Sequence, residues 1–282
     1  MELSVIFLSY TKNDDIFEMT NKAIDSLFNS ESNEITFEVI VIESNPQFHE
    51  KYQFPSSVKT IIPNEKFNFH KFLNIGIKEA KFNQIALCNN DVIFHQSWYS
   101  ELLKIKKLNP KICSFSPCEL NENNQYQSHE LGYDVRTHIK GWCIVTDKDN
   151  LLKIGLLDER FDFYYADDDY SMSLKKHNIK HARVFSSKVE HLAGKNTESN
   201  KKENDVEFDT NIKLEGLPKY LFEDDYKWII KNKKLLDGHL KFHKKWGNRR
   251  SISLKNKIFK LLQQLNLGFL GYYLFCSNKS SN

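Results

Sequence analysis

The sequence predicts an α/β fold: a Rossmann-like, mostly parallel sheet flanked by helices, with a helical and basic C-terminal extension. Two observations predict it. Short apolar, β-branched runs alternate with segments of helical period over the first hundred residues, the pattern of parallel strands joined by crossover helices. Charge then changes sign along the chain. Residues 226–260 hold twelve Lys/Arg and one acid, a net of +11 in a chain whose total is +3, which leaves −8 for the rest.

Each element follows from its residues. LSVIFLS at 3–9 is a short apolar run and reads as a buried strand. Residues 15–29 place Ile16, Phe17, Met19, Ala23, Ile24 and Leu27 at helical spacing. ITFEVIVIE at 35–43 is a second strand, and 58–62 a third, stopped by Pro63. Residues 69–80 are helical, 84–87 a fourth strand, and 97–107 the next helix. The stretch 119–140 is polar and without period, so it reads as a long loop of the kind that carries function. GWCIVT at 141–146 resumes a strand, 147–154 and 169–177 are helical, and 179–185 is a strand. Residues 194–209 are very polar and are expected to close over bound ligand. From about 217 the chain turns helical. The expected division is a domain at 1–215, with halves at about 1–110 and 111–215, and an extension at 216–282.

Composition excludes several classes. Hydrophobic residues make up 40% of the 282, charged residues 27% and aromatics 13%, a globular balance with enough chain for a core. Cys88, Cys113, Cys118, Cys143 and Cys276 are odd in number and lack CxxC spacing. That argues against a disulfide framework or zinc finger and for a reducing cytoplasm. The N-terminus lacks the basic start of a signal peptide. No aromatic-interleaved basic motif supports nucleic-acid binding.

In open parallel sheets, ligands bind beyond the carboxyl ends of the strands. This rule selects the loop at 9–15, Glu43 to Asn45, and Asn89-Asn90-Asp91. Asp91 there can ligate a divalent cation, although an ordinary Asx turn has the same look. Tyr164-Tyr165-Ala166-Asp167-Asp168-Asp169-Tyr170 puts three carboxylates before a helix. Mutual repulsion and aromatic walls raise such a carboxyl's pKa and suit it to a general base, while some of these acids can simply cap the helix. His191, in VEHLAG, is a potential metal ligand or a structural histidine. Glu43 can accept a hydrogen bond from a nucleotide or stand as a solvated strand-end charge.

In their order and spacing these segments resemble glycosyltransferase family 2 on the GT-A fold. SVIFLSYTKND is similar to the family's first strand and nucleotide loop. VIVIESN resembles its second strand, with Glu43 where Asp is usual. FLNIGIKEAKFNQIALCNND resembles the helix, strand and DXD-type motif, with Asn89 in place of the first acid. GWCIVTDKDNLLKIGLLDERFDFYYADDDYSMSLKKHN resembles the block holding the base, with Ala166 where Glu is frequent. VEHLAG resembles the late histidine motif, and Lys244-Lys245-Trp246-Gly247 a C-terminal motif of bacterial members. The resemblance spans about residues 2–195.

It implies an inverting transfer of sugar from a UDP-, dTDP- or GDP-linked donor to a hydroxyl of a glycan or lipid-linked acceptor, as in surface polysaccharide or lipopolysaccharide synthesis. Asp167 would be the base. Asp91 and His191 would hold Mn²⁺ or Mg²⁺. Ser9, Tyr10, Glu43, Asn74, Asn89 and Asn90 would line the donor nucleotide, with a backbone contact the alternative for Asn74. Trp142 and Tyr165 would stack on sugar, unless they are core aromatics. Asp168 and Asp169 would lie toward the acceptor. Neighbours on a helix point about 100° apart, so Asp167 and Asp169 cannot share one orientation.

Residues 253–275 carry Leu254, Ile258, Leu261, Leu262, Leu265 and Phe269 at near-helical spacing with Lys255, Lys257 and Lys260. Such a helix either packs on the domain or lies on an anionic membrane, placing the protein in the cytoplasm at the inner membrane face. Two other readings share the fold. One is a non-catalytic nucleotide-sugar or carbohydrate-binding protein, which Ala166 and Asn89 would fit. The other is a sugar-1-phosphate nucleotidyltransferase, which a glycine-free 9–15 loop disfavours.

Overall fold

The computed structural model describes residues 1–124, 126–192 and 216–276. The closing segment expected at 194–209 lies outside the described residues. The N-terminal half runs β1 (Glu2–Ser9), α1 (Asp14–Asn29), β2 (Thr36–Glu43), α2 (Phe48–Lys51), β3 (Val58–Ile61), α3 (Phe69–Glu79), β4 (Gln84–Asn89), β5 (Val92–Phe94) and α4 (Trp98–Leu108). It continues with β6 (Ile112–Cys118), β7 (His129–Leu131), β8 (Cys143–Asp147), α5 (Lys148–Lys153), α6 (Ala166–Lys176) and β9 (Lys180–His191). Three helices follow: α7 (Lys233–Trp246), α8 (Arg249–Gln264) and α9 (Gly271–Phe275).

The sheet order is β3-β2-β1-β4-β8-β6-β9-β5, with β7 also on β9. β1 to β4, β6 and β9 point one way, and β5, β7 and β8 oppose them. The sheet is therefore mostly parallel, as expected. The reversal of β8 between β4 and β6 was not, because an apolar strand reads alike in either direction. The expected loop at 119–140 contains β7. It is fastened by Lys140 to Glu122 at 2.5 Å and by Arg183 to Glu130 at 2.5 Å.

Alternation along β1 shows how the layers form. Leu3, Val5 and Phe7 join a core with α1 and α4, whereas Ile6 and Leu8 join one with α3 and α6. Each fully buried side chain of this kind contributes roughly 1.5–3 kcal/mol. Asn13 caps α1 by accepting from the Ile16 N–H at 3.1 Å, and Asn68 caps α3 by accepting from Lys71 at 2.9 Å. Gly76 lets α3 lie on β1, since a β-carbon there would fall 2.5 Å from Cγ2 of Ile6.

Parallel register aligns the strand ends. Ser9 pairs with Glu43, and Leu8 with Asn89. The carboxyl ends of β1, β2 and β4 thus form one edge. The C-terminal helices pack on α6: Phe242, Trp246, Phe259 and Phe275 share a core with Phe161, Ala166 and Met172.

Candidate active site

Asp91 follows β4 and leads into β5, which pairs antiparallel with the end of β9 so that Val92 faces His191. The Leu192 N–H donates to the Asp91 carbonyl at 2.8 Å. These bonds bring Asp91 Oδ1 and His191 Nε2 to 3.3 Å. That is ion-pairing range for a protonated histidine, yet both atoms are buried without a hydrogen-bond partner among the described residues. Buried polar atoms are normally paired. Two converging lone-pair atoms of carboxylate and imidazole type fit a divalent cation. Among the described residues no group of three or more His, Cys, Asp or Glu is arranged to hold a metal. Two protein ligands are what a cation shared with substrate phosphates commonly has.

Trp142 stacks on His191 with ring centroids 5.4 Å apart and planes 18° from parallel. It also accepts the Asn89 N–H at its carbonyl, 3.0 Å away. Of the two roles expected for Trp142, sugar stacking or core packing, the structure shows one indole face against His191. The residue before it, Gly141, lies against Asp167. Two consecutive residues therefore touch the expected base on one side and the Asp91–His191 pair on the other.

Asp167 is in the first turn of α6, which begins at Ala166 rather than near Asp169. Tyr165, just before, has φ of +65°, a left-handed conformation uncommon for a bulky residue. It turns the chain sharply into the helix. Burial and the neighbouring Asp168 push the Asp167 carboxyl up to about 6, with Arg136 opposing. Its carboxylate makes no hydrogen bond among the described residues. Asp168 is also raised by burial and pulled back by Arg136.

Several expected contacts are corrected. Glu43 is completely buried. Its oxygens accept from Thr11 N at 3.0 Å, Thr11 Oγ1 at 2.7 Å and Asn45 N at 2.7 Å. It joins the loop after β1 to the loop after β2 from within and is not at their surface. Asn74 is buried too, bonding the Leu157 carbonyl at 2.8 Å and the Leu157 N–H at 3.1 Å, the backbone contact that was its alternative. Tyr165 bonds His239 Nδ1 at 2.7 Å and packs on Phe242. Asp169 accepts from Trp246 Nε1 at 2.7 Å and pairs with Lys245 at 2.7 Å, so it anchors α7 from a buried position.

Ser9 and Asn90 lie together: Asn90 donates to Thr20 Oγ1 at 2.8 Å and to Ser9 Oγ at 3.4 Å. Tyr10 is 53% exposed with Lys12 Nζ 5.0 Å from its ring centre. The Asn89 amide makes no side-chain hydrogen bond among the described residues. Sequence reasoning missed Gly141, Thr11, Thr20 and Arg136. Gly141 at the head of a strand was the one visible signal, because glycine there marks a close approach.

A doubly wound sheet with acids and a histidine gathered at its carboxyl edge defines an α/β protein of the GT-A class. Residues 4–189 match the model of glycosyl transferase family 2, and the chain belongs to that family. Its fold is similar to GalNAc-T7, solved with UDP, GalNAc and Mn²⁺ (TM-score 0.56, 13% identity, 68% of this chain and 44% of that one). It is also similar to S. aureus TarS (0.50, 15%, 67% and 36%) and to TarS 1–349 in complex with UDP (0.50, 15%, 67% and 59%). The chain thus corresponds to between 36 and 59% of those lengths. No curated protein sequence matches it significantly.

Proposed function

We infer that this chain is an inverting glycosyltransferase, moving a sugar from a nucleoside-diphosphate donor to an acceptor hydroxyl on a glycan or lipid-linked saccharide. One observation carries the reading. An unpartnered carboxyl with a raised pKa and an orphaned carboxylate–imidazole pair are bridged by the adjacent residues Gly141 and Trp142. UDP in the solved structures supports a UDP-linked donor, with dTDP- and GDP-linked sugars as the alternatives to test.

Asp167 takes the acceptor proton as the new C–O bond forms at the anomeric carbon. The bond from that carbon to the diphosphate oxygen breaks, and its electron pair leaves with the diphosphate. Asp91 and His191 would hold Mn²⁺ or Mg²⁺, which supplies Lewis-acid stabilisation of the departing charge. Trp142 fixes the imidazole plane. Glu43 ties the loop after β1, at Thr11, to the loop after β2, at Asn45, and so supports the segment that presents Tyr10. The test is thermal stabilisation by a panel of nucleotide sugars with and without Mn²⁺, followed by transfer assays. No divalent-dependent shift with any donor, and no transfer, would refute the reading.

The acceptor's setting is inferred from α8. Phe259 is its buried residue. Leu254, Ile258, Leu261 and Leu265 lie on one face and are 38 to 59% exposed, beside Lys257 and Lys260. Among the described residues no helix is long and apolar enough to span a bilayer. An exposed apolar stripe with basic flanks suits an anionic membrane surface. Flotation with phosphatidylglycerol vesicles should occur and be lost in Leu254→Ser/Leu261→Ser; equal flotation of both would discount it.

A further inference from the structure

A second concavity, of about 1490 Å³, opens between α8, the C-terminal end of α6 and the β7–β9 edge. Six cations line it: Lys111, Lys175, Lys180, Arg249, Lys257 and Lys260. None of the six forms an ion pair with any described residue. Neither carboxylate of the lining, Glu130 or Asp134, forms an ion pair with any of these six among the described residues. Glu130 pairs with Arg183 at 2.5 Å and His138 at 3.4 Å, and Asp134 lies 3.7 Å from His138.

Lys175 is the telling member. It is only 9% exposed, and its ammonium has a neutral partner, Asn256 Oδ1 at 3.0 Å, with the Tyr133 ring centre 5.8 Å away. A buried charge with no direct ion-pair partner is unfavourable. Burial accordingly pushes its pKa down to about 8, against the pull of Asp134 and Asp168. An anion in the cleft would supply what the protein withholds. Ammonium groups, here five against one guanidinium, act as point charges suited to phosphate. The volume exceeds the roughly 300–1,000 Å³ of small-ligand pockets, which leaves room for an extended occupant. Asn178, Gln264 and Asn266 on the rim offer amides for hydroxyl groups. Lys175 stands in the last turn of α6, the helix whose first turn carries Asp167, and its charge acts on Asp168.

We propose that this cleft binds a phosphate-bearing saccharide and so selects an anionic acceptor, an inference that rests on the glycosyltransferase reading for its role though not for the binding itself. The binding test titrates the full chain with inorganic tripolyphosphate in EDTA, which silences a cation-dependent donor site. Binding should be at least tenfold weaker in Lys175→Met and in the surface pair Lys257→Gln/Lys260→Gln. It should be unchanged in Asp91→Asn, and neutral maltoheptaose should not compete. Parent-like binding by both lysine variants, or loss in Asp91→Asn, would overturn the proposal. A lipid phosphate is distinguished by vesicle flotation: Lys175→Met should float like the parent, and loss of flotation would assign the cleft to lipid instead. In transfer assays the lysine variants should raise KM for a phosphorylated acceptor with donor hydrolysis unchanged. Cleft binding without transfer to any acceptor would reject the enzymatic reading and leave the site standing.

Discussion

A β-carbon at position 141 would fall 2.5 Å from Cγ of Asp167 and closer still to both carboxylate oxygens. Only glycine leaves room for the carboxylate where it stands, so residue 141 sets the position of the proposed base without chemistry of its own.

Gly141→Ala should therefore displace Asp167. Transfer should fall about 10²-fold, the effect expected when a reacting group shifts by an ångström, while donor-induced thermal stabilisation stays near that of the parent. Unchanged turnover would mean the carboxylate can relocate without consequence.

Asp167→Asn should reduce turnover by about 10²- to 10⁴-fold. In the parent, activity should rise with pH through about 6 and level off, since the base must be ionised. Stability should move oppositely. A carboxyl whose folded pKa lies above its unfolded value of 3.8 destabilises the native state increasingly as pH rises from about 4 to 6, and fully above that. Asp167→Asn should thus unfold at higher temperature than the parent at pH 8 and alike at pH 3.5. A lower melting temperature at pH 8 would contradict the burial argument.

Trp142→Ala removes the ring stacked on His191. Groups that orient a metal ligand commonly govern affinity by 10- to 100-fold. The Mn²⁺ concentration needed for half-maximal donor stabilisation should rise about tenfold, and Trp142→Phe should recover most of the loss. If Mn²⁺ dependence is the same in all three proteins, the stack does not orient a ligand.

Glu43→Gln replaces an acceptor of three donors with a group that accepts at one oxygen only. Unfolding should cost about 1–3 kcal/mol less than in the parent, and donor KM should rise with it. Weakened donor binding at full stability would restore Glu43 to direct contact with the nucleotide.

Lys245→Met leaves Asp169 buried without its cation. Destabilisation of about 3 kcal/mol is expected, with partial recovery in Lys245→Met/Asp169→Asn. Denaturant unfolding of the pair and both single variants decides this through the coupling term.

The fold's first half was legible because its signals are local. Alternation in β1 and β2, the apolar spacing of α1 and α3, and the polar residues closing each strand are read within a few residues of one another. β5, β6 and β7 were not read: VIF and HEL are three residues each, too short for a period, and ICSFSPC carries a proline and polar residues within its run. Glu43 and Asn74 show the matching failure at the site. Both were placed on the correct elements, but whether a polar side chain faces a ligand or a backbone depends on partners 32 and 83 residues away.

By itself the sequence determined that Ser9, Glu43 and Asn89 to Asp91 end strands, and that a carboxylate-rich turn opens a helix. Periodicity and turn chemistry act over one or two turns of chain, so one sequence suffices to read them. Tertiary structure alone decided that β9 returns to β5, setting His191 beside Asp91 across a hundred residues. It also decided that Gly141 admits Asp167 and that Asp169 belongs to Lys245 and Trp246. Those outcomes are set by through-space distance and by competition among polar partners, neither of which is encoded in local spacing.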